Sequence, residues 1–405
     1  MSTSLKRVQA SQCLTTQVPF ARVDCSGNEL EYVRQVLESG WLTTASKADE
    51  LERRFASHLN VNHALAVNSC TSALHLALEA LNIGPGDKVL LPTMTFTATA
   101  EVIRYMDAVP VLMDVDPRTS LVTESIAASA LAEHPDASAM IVVHYGGQPA
   151  AMVGKDGNGI VALCRRMGIS IIEDAAHAFP AHLNGDYVGN FGDVTCFSFY
   201  ANKTMTTGEG GMAVTNCDKL AARMRLMRLH GIDRDIWRRY IGSAASWEYD
   251  VVAPGFKYNM PDLNAAVGLA QLERAEVTRE HRMLRARVYS AAFKNHPFIR
   301  LLDCDCRPEE HSWHLFPILL QGELMHKRNE FIDHLIANGV GVSVHYKPLH
   351  HLSYYRDKFD FKAEHYPGAE ALWQSTISLP IYGSLTDDEQ DYVIDAVHAA
   401  AQALS

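Results

Sequence analysis

The chain has 405 residues, of which 47% are hydrophobic and 20% are charged, a composition typical of globular proteins. Its formal net charge is −11, whereas nucleic-acid-binding proteins usually carry a basic surplus. No segment offers the run of about 20 apolar residues that a membrane-spanning helix requires. Residues 1–19 lack the unbroken apolar stretch of a signal peptide, and the eight cysteines show no disulfide-like spacing, so we expect a cytoplasmic protein.

Short apolar segments alternate with helical patterns over the first two-thirds of the chain. The predicted strands are residues 64–67, 89–91, 109–113, 140–143, 169–172, 194–199 and 212–215. The predicted helices among them are residues 71–81, 95–104 and 161–167. Short apolar strands separated by helices are typical of βαβ units, so we predict an α/β fold with a buried, mostly parallel sheet.

The pattern changes in the last third of the chain. The predicted elements there are a long helix at 262–280, a strand at 313–320, a helix at 327–338, a strand at 342–345 and a helix at 387–401. We therefore predict two domains, a large one over residues 1–265 and a smaller α+β domain over residues 266–405.

Polar segments follow several predicted strands, at the edge where open α/β sheets bind their ligands. Asn68–Ser72 joins a strand to a helix, so its hydroxyls and the amides of the helix N-terminus could bind a phosphate, or could simply cap the helix. Glu173 and Asp174 end an apolar strand. Because an unpaired buried carboxylate is costly, one of them should meet a positive group, either a protonated ring nitrogen or a structural arginine.

Lys203 follows a hydrophobic strand, at the start of a loop rich in Thr and Gly. A lysine in an enclosed site can lose its proton and attack a carbonyl, whereas most lysines are ordinary surface residues. Asn259 precedes the long helix and suits either a ligand or the backbone of a turn. A phosphate cradle, a carboxylate and a lysine are together the groups that pyridoxal 5′-phosphate (PLP) requires.

These segments as a set resemble the sugar-nucleotide aminotransferases of the DegT/DnrJ/StrS group, from about Phe20 to the C-terminus. The matching stretches are Ser39–Thr44, Gly84–Val89, Val143–Ala150, Glu173–Ala178, Phe197–Phe199, Lys203, Thr207–Gly211 and Tyr258–Asp262. Ala253–Asn259 and His314–Phe316 are also similar to the members that form UDP-4-amino-4-deoxy-arabinose. The loop at 151–159 is longer than is usual in those members, so their substrate is not carried over.

The resemblance implies the PLP-dependent aminotransferase fold (type I), with a large α-β-α domain and a smaller C-terminal α+β domain. Lys203 would carry PLP as an internal aldimine and act as a base, Asp174 would pair with the pyridine nitrogen, and His177 would lie near the phenolic oxygen. The residues that would hold the phosphate and the ring are Thr71, Ser72, Ser198, Phe96 and, from the neighbouring subunit of a homodimer, Asn259.

The resemblance also implies the reaction. The amino donor would be L-glutamate, and the acceptor would be a keto group of a UDP- or dTDP-linked deoxy sugar, at C4 by preference with C3 as the alternative. The product would serve a polysaccharide, a lipid or a natural product. His345, Tyr346 and His350 would approach this substrate.

Other functions on the same scaffold remain as alternatives. A PLP-dependent sugar dehydratase would carry His in place of Lys203. An aminotransferase for a cyclitol or an aminobenzoate precursor would differ only in its substrate. A non-catalytic PLP-binding protein is disfavoured because Asp174, His177, Ser198 and Lys203 are all present.

Other classes of function lack their motifs. No Gly-x-Ser-x-Gly elbow indicates a hydrolase, and no G-x-G-x-x-G opens a helix after a strand as in nicotinamide-dependent enzymes. Cys304 and Cys306 form an isolated C-x-C without a second pair at zinc-finger spacing, so no metal site is predicted.

Overall fold

The structure is a computed structural model that describes residues 17–154, 157–233 and 249–405. The predictions for residues 1–16 and for residues 155–156 of the loop 151–159 lie outside the described residues. The helices are α1 (Glu29–Ser39), α2 (Ser46–Leu59), α3 (Cys70–Ala80), α4 (Ala98–Tyr105), α5 (Glu124–Glu133), α6 (Ile160–Met167), α7 (Asp218–Met227), α8 (Asp262–Glu273), α9 (Ala275–Phe293), α10 (Arg328–Ala337), α11 (Ser353–Phe359), α12 (Pro367–Trp373) and α13 (Asp387–Leu404). The strands are β1 (His63–Val67), β2 (Lys88–Pro92), β3 (Val109–Met113), β4 (Ala137–Val143), β5 (Ser170–Asp174), β6 (His182–Leu183), β7 (Asp186–Tyr187), β8 (Val194–Ser198), β9 (Gly211–Thr215), β10 (Ile299–Leu301), β11 (Phe316–Leu320) and β12 (Thr376–Leu379).

A large sheet organises the described part of the chain, with seven strands in the order β1-β9-β8-β5-β4-β2-β3. β2, β3, β4, β5 and β8 pair in parallel, and β9 is antiparallel to both of its neighbours. Helices cover both faces of such a sheet, so its central strands are apolar throughout; Met140, Ile141 and Val142 of β4 have no exposed surface. The predicted α/β fold with a mostly parallel sheet is confirmed.

A smaller antiparallel sheet, in the order β10-β11-β12, lies in the C-terminal part of the chain. α9, α10 and α13 pack on it around a separate core that includes Tyr289, Phe293, Phe331 and Val397. These elements form the predicted small α+β unit. None of the helices in the described ranges is long and apolar enough to traverse a lipid bilayer.

Part of the C-terminal segment packs into the core of the large sheet instead. Leu349, Tyr355, Tyr366 and Leu372 are buried in the cluster of apolar residues that surrounds β2 and β4. The backbone N–H of Leu349 also donates to the carbonyl oxygen of Thr93, at 2.9 Å, just beyond β2. The domain boundary predicted at residue 265 stays a prediction. This segment follows that boundary in sequence, yet its apolar side chains belong to the core of the large sheet.

The predicted helix at 262–280 is wrong as one element. It consists of two helices, α8 and α9, because the backbone leaves helical geometry at Arg274 (φ −113°, ψ 3°). The guanidinium of Arg274 forms an ion pair with Asp24 at 2.8 Å, which anchors this break to the start of the described chain.

Two further elements differ from the sequence-based prediction. The strand predicted at 342–345 is reduced to an isolated bridge between Ser343 and Ser378, at the edge of β12. The helix predicted from residue 95 begins at Ala98, so the residues before it lie in a loop at the carboxyl end of β2. This later start turns Phe96 toward the cavity described next.

Candidate active site

The carboxyl ends of the parallel strands border a cavity of about 500 Å³. Asp174 ends β5, Ser198 ends β8, and Lys203 lies in the loop between β8 and β9. This edge is where open α/β sheets bind their ligands, and residues far apart in sequence meet there. The predicted residues that line the cavity are Thr71, Phe96, Asp174, His177, Ser198, Lys203, His345 and Tyr346.

Lys203 is partly buried, and its Nζ lies 3.5 Å from Nε2 of His314. Burial lowers the pKa of Lys203 to about 8, although Cys70 and Asp174 favour its charged form. A fraction of this lysine is therefore a neutral amine near physiological pH, which is the form that attacks a carbonyl.

Asp174 is buried, and its side chain is fixed by two hydrogen bonds. Oδ2 accepts from the hydroxyl of Thr99 at 2.8 Å, and Oδ1 accepts from the backbone N–H of Ala176 at 3.1 Å. Burial raises the pKa of Asp174, and it forms no ion pair with any residue in the described ranges. A cation placed in the cavity beside this carboxylate would stabilise its charged form and offset the cost of its burial.

Glu173 points to the opposite side of the sheet from Asp174, because successive side chains of a strand alternate. It is fully buried, and Oε1 accepts from the hydroxyl of Thr195 at 2.6 Å and from the N–H of Gly192 at 2.7 Å. Oε2 accepts from Nε2 of His144 at 3.0 Å. These donors lower the pKa of Glu173 against the effect of burial, so this acid has a structural environment separate from the cavity.

The N-terminus of α3 faces the cavity through Thr71. The first N–H groups of a helix have no intrahelical acceptor, and they can bind an anion. Ser69 caps the helix by accepting from the N–H of Ser72 at 3.1 Å. The hydroxyl of Ser72 donates to Oδ1 of Asn68 at 2.6 Å, so the structure places Ser72 within this cap rather than at the cavity wall.

His177 has a defined tautomer. Its Nδ1 accepts from the backbone N–H of Gly146 at 3.2 Å, so the ring hydrogen of the neutral imidazole resides on Nε2. Nε2 is 2.8 Å from the hydroxyl oxygen of Tyr346, which must then accept. Burial moves the pKa of His177 well below its usual value and keeps the ring neutral, and the Tyr346 hydroxyl retains its own hydrogen for another acceptor.

Aromatic and imidazole rings form the wall of the cavity opposite the strands. Phe96 lies 6.0 Å from the ring of Tyr346 and remains more than half exposed, so one of its faces is open to the cavity. His345 is buried, and its Nδ1 is 2.9 Å from the hydroxyl of Ser378. This wall therefore combines open apolar surface with the hydroxyl of Tyr346, which can donate.

Besides Ser72, two predicted residues do not line the cavity, Asn259 and His350. Asn259 donates from Nδ2 to the hydroxyl of Thr44 and accepts from Nζ of Lys257 at 2.6 Å. His350 is buried behind the wall, with Nδ1 at 2.8 Å from Thr93 and Nε2 at 2.7 Å from Glu370.

His351 also contacts Oε1 of Glu370, and with His350 the three side chains converge closely enough to hold a cation. Nε2 of each imidazole lies at hydrogen-bond distance from Oε1 of Glu370. Both imidazoles can therefore donate to the same carboxylate oxygen, which accounts for the cluster without a metal.

Sequence reasoning missed two residues that contact the predicted ones. Thr99 is fully buried and bonds to Asp174, and its position inside a helix gave no signal. His314 is buried beside Lys203, with its ring 4.4 Å from that of His177 and with Nδ1 lacking a hydrogen-bond partner among the described residues. The hints in the sequence were its place beside an apolar run and its place in the resembling stretch His314–Phe316.

The model of the DegT/DnrJ/EryC1/StrS aminotransferase family matches residues 24–398. The chain belongs to this family. The spore coat polysaccharide biosynthesis protein SpsC of Bacillus subtilis is 38% identical over 384 residues, which cover 94% of this chain and 96% of SpsC.

Solved structures of family members share the fold. The PMP form of the putative sugar aminotransferase Spr1654 from Streptococcus pneumoniae matches with a TM-score of 0.86 at 31% identity, covering 96% of this chain and 100% of that one. PseC of Helicobacter pylori, an aminotransferase involved in the biosynthesis of pseudoaminic acid, matches with a TM-score of 0.86 at 26% identity, covering 95% of this chain and 99% of that one. The chain is a PLP-dependent aminotransferase.

The cavity of this aminotransferase fits PLP. Asp174 offers a buried carboxylate that lacks a described cation partner, and a protonated pyridine nitrogen would supply one. The N-terminus of α3 offers N–H groups to a phosphate, beside the hydroxyls of Thr71 and Ser198. Lys203 supplies an amine whose pKa is already lowered. These groups are the ones that the cofactor's ring, phosphate and aldehyde need.

Proposed function

We propose that this aminotransferase moves an amino group from L-glutamate to the C4 keto group of a UDP- or dTDP-linked deoxy sugar. The observation that carries the proposal is the meeting of Lys203 and Asp174 in one cavity that also holds a helix N-terminus. The pathways named for SpsC and PseC support a product that enters a surface polysaccharide or a related amino sugar.

Each residue would act through the group that it presents to the cavity. When bound, PLP supplies an electron sink for the substrate's amine-bearing carbon. Asp174 would keep the ring nitrogen protonated, with Thr99 holding the carboxylate in place. Lys203 would anchor the cofactor and, once released, would carry the proton to and from the reacting carbon.

The phenolic oxygen of the cofactor would lie near His177. Because His177 donates to Tyr346, the hydroxyl of Tyr346 would present its hydrogen to an oxygen atom in the cavity. His345 would help to shape the sugar pocket from the same segment. His350 would act only indirectly, since both of its ring nitrogens face other side chains.

The enzyme is further proposed to act as a cytoplasmic homodimer in which Asn259 reaches the phosphate site of the neighbouring subunit. Asn259 lies outside the cavity of its own chain, as such a role requires. Sedimentation velocity at micromolar concentration should give a dimer. A monomer with full activity would remove this part of the proposal.

A visible absorbance titration tests the reaction. L-glutamate should convert the lysine-bound form of PLP, after which excess glutamate is removed and UDP- and dTDP-keto sugars are added singly. Return of the original band with one sugar would identify the acceptor. Lys203→Ala provides the control, since it should bind PLP without that band. If glutamate leaves the wild-type band unchanged, the proposed donor and reaction are wrong.

A further inference from the structure

Two cysteines meet in the loop that follows β10, outside the lining of the catalytic cavity. The Sγ atoms of Cys304 and Cys306 are 3.6 Å apart. Cys304 is exposed and Cys306 is half-buried, so small molecules in solution can reach them. The proposed reaction uses neither thiol, so their proximity calls for a separate explanation. We call these two residues the dithiol pair.

The loop that carries the dithiol pair is anchored on both sides. Before it, the backbone N–H of Asp303 donates to the carbonyl oxygen of Arg118 at 2.8 Å. After it, the backbone N–H of Arg307 donates to Oε2 of Glu310 at 3.0 Å, and the guanidinium of Arg307 forms an ion pair with the same carboxylate at 2.8 Å. Because these contacts already order the loop, little further chain entropy is lost when the two thiols join.

The spacing of the dithiol pair allows a covalent bond between its sulfur atoms. Consecutive Cα atoms lie about 3.8 Å apart, so residues separated by one other residue have Cα atoms at most about 7 Å apart. A disulfide usually has Cα atoms about 4.4–6.8 Å apart and sulfur atoms about 2 Å apart. The Sγ atoms therefore need to approach only from 3.6 Å to about 2 Å, a change that rotation of the side chains can supply.

The two thiols differ in how readily they lose a proton. While protonated, Cys304 donates to the carbonyl oxygen of Cys306 at 3.3 Å, which turns its sulfur atom toward Cys306. The S–H of Cys306 in turn faces Sγ of Cys304. This hydrogen bond holds the pKa of Cys304 below its usual value, and the same contact together with burial holds the pKa of Cys306 above it. Cys304 therefore ionises first, and the thiolate is the form that attacks a disulfide.

We propose that the dithiol pair is a reversible redox modification site whose reagent is a small-molecule disulfide, glutathione disulfide. The Cys304 thiolate attacks one sulfur atom of the reagent, forms a mixed disulfide and releases one thiolate. Cys306 then loses its proton to solvent, attacks Sγ of Cys304 and releases the second thiolate. Each released thiolate takes up a proton. The dithiol and one disulfide thus give the protein disulfide and two free thiols, and two electrons pass to the reagent.

The second cysteine gives this modification its reversibility. Redox-sensing cysteines are exposed, have a lowered pKa and stand beside a second thiol that resolves the first product, and the dithiol pair has all three properties. Without Cys306, the exposed Cys304 would keep its glutathione adduct. In the reducing compartment proposed for this enzyme, the pair would rest as the dithiol and oxidise transiently.

Peptide mass spectrometry of the PLP-loaded enzyme after incubation with glutathione disulfide tests the proposal. Residues 301–327 form one tryptic peptide, because Arg307 precedes a proline, and this peptide holds no other cysteine. In the wild type it should lose about 2 Da, the mass of two hydrogens, and regain it with dithiothreitol. Cys306→Ser should instead retain one glutathione on Cys304. Cys304→Ser should take up glutathione about tenfold more slowly than Cys306→Ser, because the half-buried thiol ionises less readily.

Cys217→Ser removes an exposed cysteine outside this loop and is the matched control, so it should form the disulfide as the wild type does. Far-UV circular dichroism and PLP content verify that each variant is folded. The proposal is wrong if the wild-type peptide stays reduced, if it carries glutathione on both cysteines, or if it is found linked to the same peptide of a second chain. Equal rates of glutathione uptake by the two single variants would overturn the assignment of Cys304 as the attacking thiol.

Discussion

Replacement of Glu173 by Ala should destabilise the cofactor-free enzyme severely, whereas replacement of the adjacent Asp174 by Asn should not. Glu173 accepts from four donors: the fully buried hydroxyl of Thr195 and Nε2–H of His144, and the partly buried N–H groups of Phe191 and Gly192. His144 cannot turn away, because its Nδ1 accepts from the N–H of Ala150 at 3.0 Å.

The expected loss of unfolding free energy follows from the donors that would lose their acceptor. Each buried donor that loses its acceptor costs about 1–3 kcal/mol. The two buried donors, on Thr195 and His144, would cost about 2–6 kcal/mol, and the two partly buried N–H groups would add less because water can reach them, so we expect a loss of about 3–5 kcal/mol. A globular domain is stable by only about 5–15 kcal/mol, so the change is large. Glu173→Gln keeps one acceptor oxygen and should lose less.

Urea unfolding of the cofactor-free proteins, followed by far-UV circular dichroism, measures the free energies of unfolding. The cofactor is omitted because ligand binding would add its own stabilisation to the wild type. Asp174→Asn is the control, since its carboxylate is already disfavoured by burial and should lose less than about 1 kcal/mol. A loss below about 1 kcal/mol for Glu173→Ala, or an equal loss for both variants, would refute the reasoning.

Three further predictions concern the cavity. Thr99→Val removes the hydroxyl that bonds to Asp174 and should weaken PLP binding by about tenfold with little change in the fold, measured by fluorescence titration; unchanged affinity would contradict it. Gly211→Ala would place a Cβ 2.6 Å from the backbone N of the first residue of α3, so PLP should bind more weakly and the melting temperature should fall, whereas Gly84→Ala, with no atom within 4 Å, should behave as the wild type. The rate at which the cofactor-free enzyme takes up PLP should rise with pH and level off above about 8, because Lys203 loses its proton there; a rise that continues toward the ordinary lysine pKa would show that burial does not act as described.

The sheet was predictable because its strands are buried on both faces. A parallel strand covered by helices on both sides must be apolar throughout, and such runs stand out in sequence, as at β4, where the predicted strand 140–143 lies within Ala137–Val143. The strand predicted at 342–345 is wrong because an apolar pattern does not show whether the backbone has a pairing partner. Its apolar residues pack against neighbours, but only Ser343 finds a backbone partner, which depends on tertiary placement.

The site was predictable only in part. Asp174 and Lys203 follow apolar strands, and that position in an α/β sheet already indicates a ligand site. Thr99 and His314 contact these two residues across 75 and 111 positions of sequence, and neither local pattern nor spacing carries that information. His350 stands four residues after Tyr346, but the segment turns between them and directs His350 toward Glu370 instead of the cavity.

The segment that crosses from the small sheet into the large core has a consequence for substrate entry. Leu349 and Tyr355 are buried beside β2, and the hydroxyl of Tyr145 donates to the carbonyl oxygen of His345. The wall that bears Tyr346 is therefore preorganised, since moving it outward would expose core residues to water. Ligands need not spend binding free energy on ordering this wall. The amino donor and the acceptor must then exchange through a standing entrance, so the turnover cycle does not require this wall to move outward.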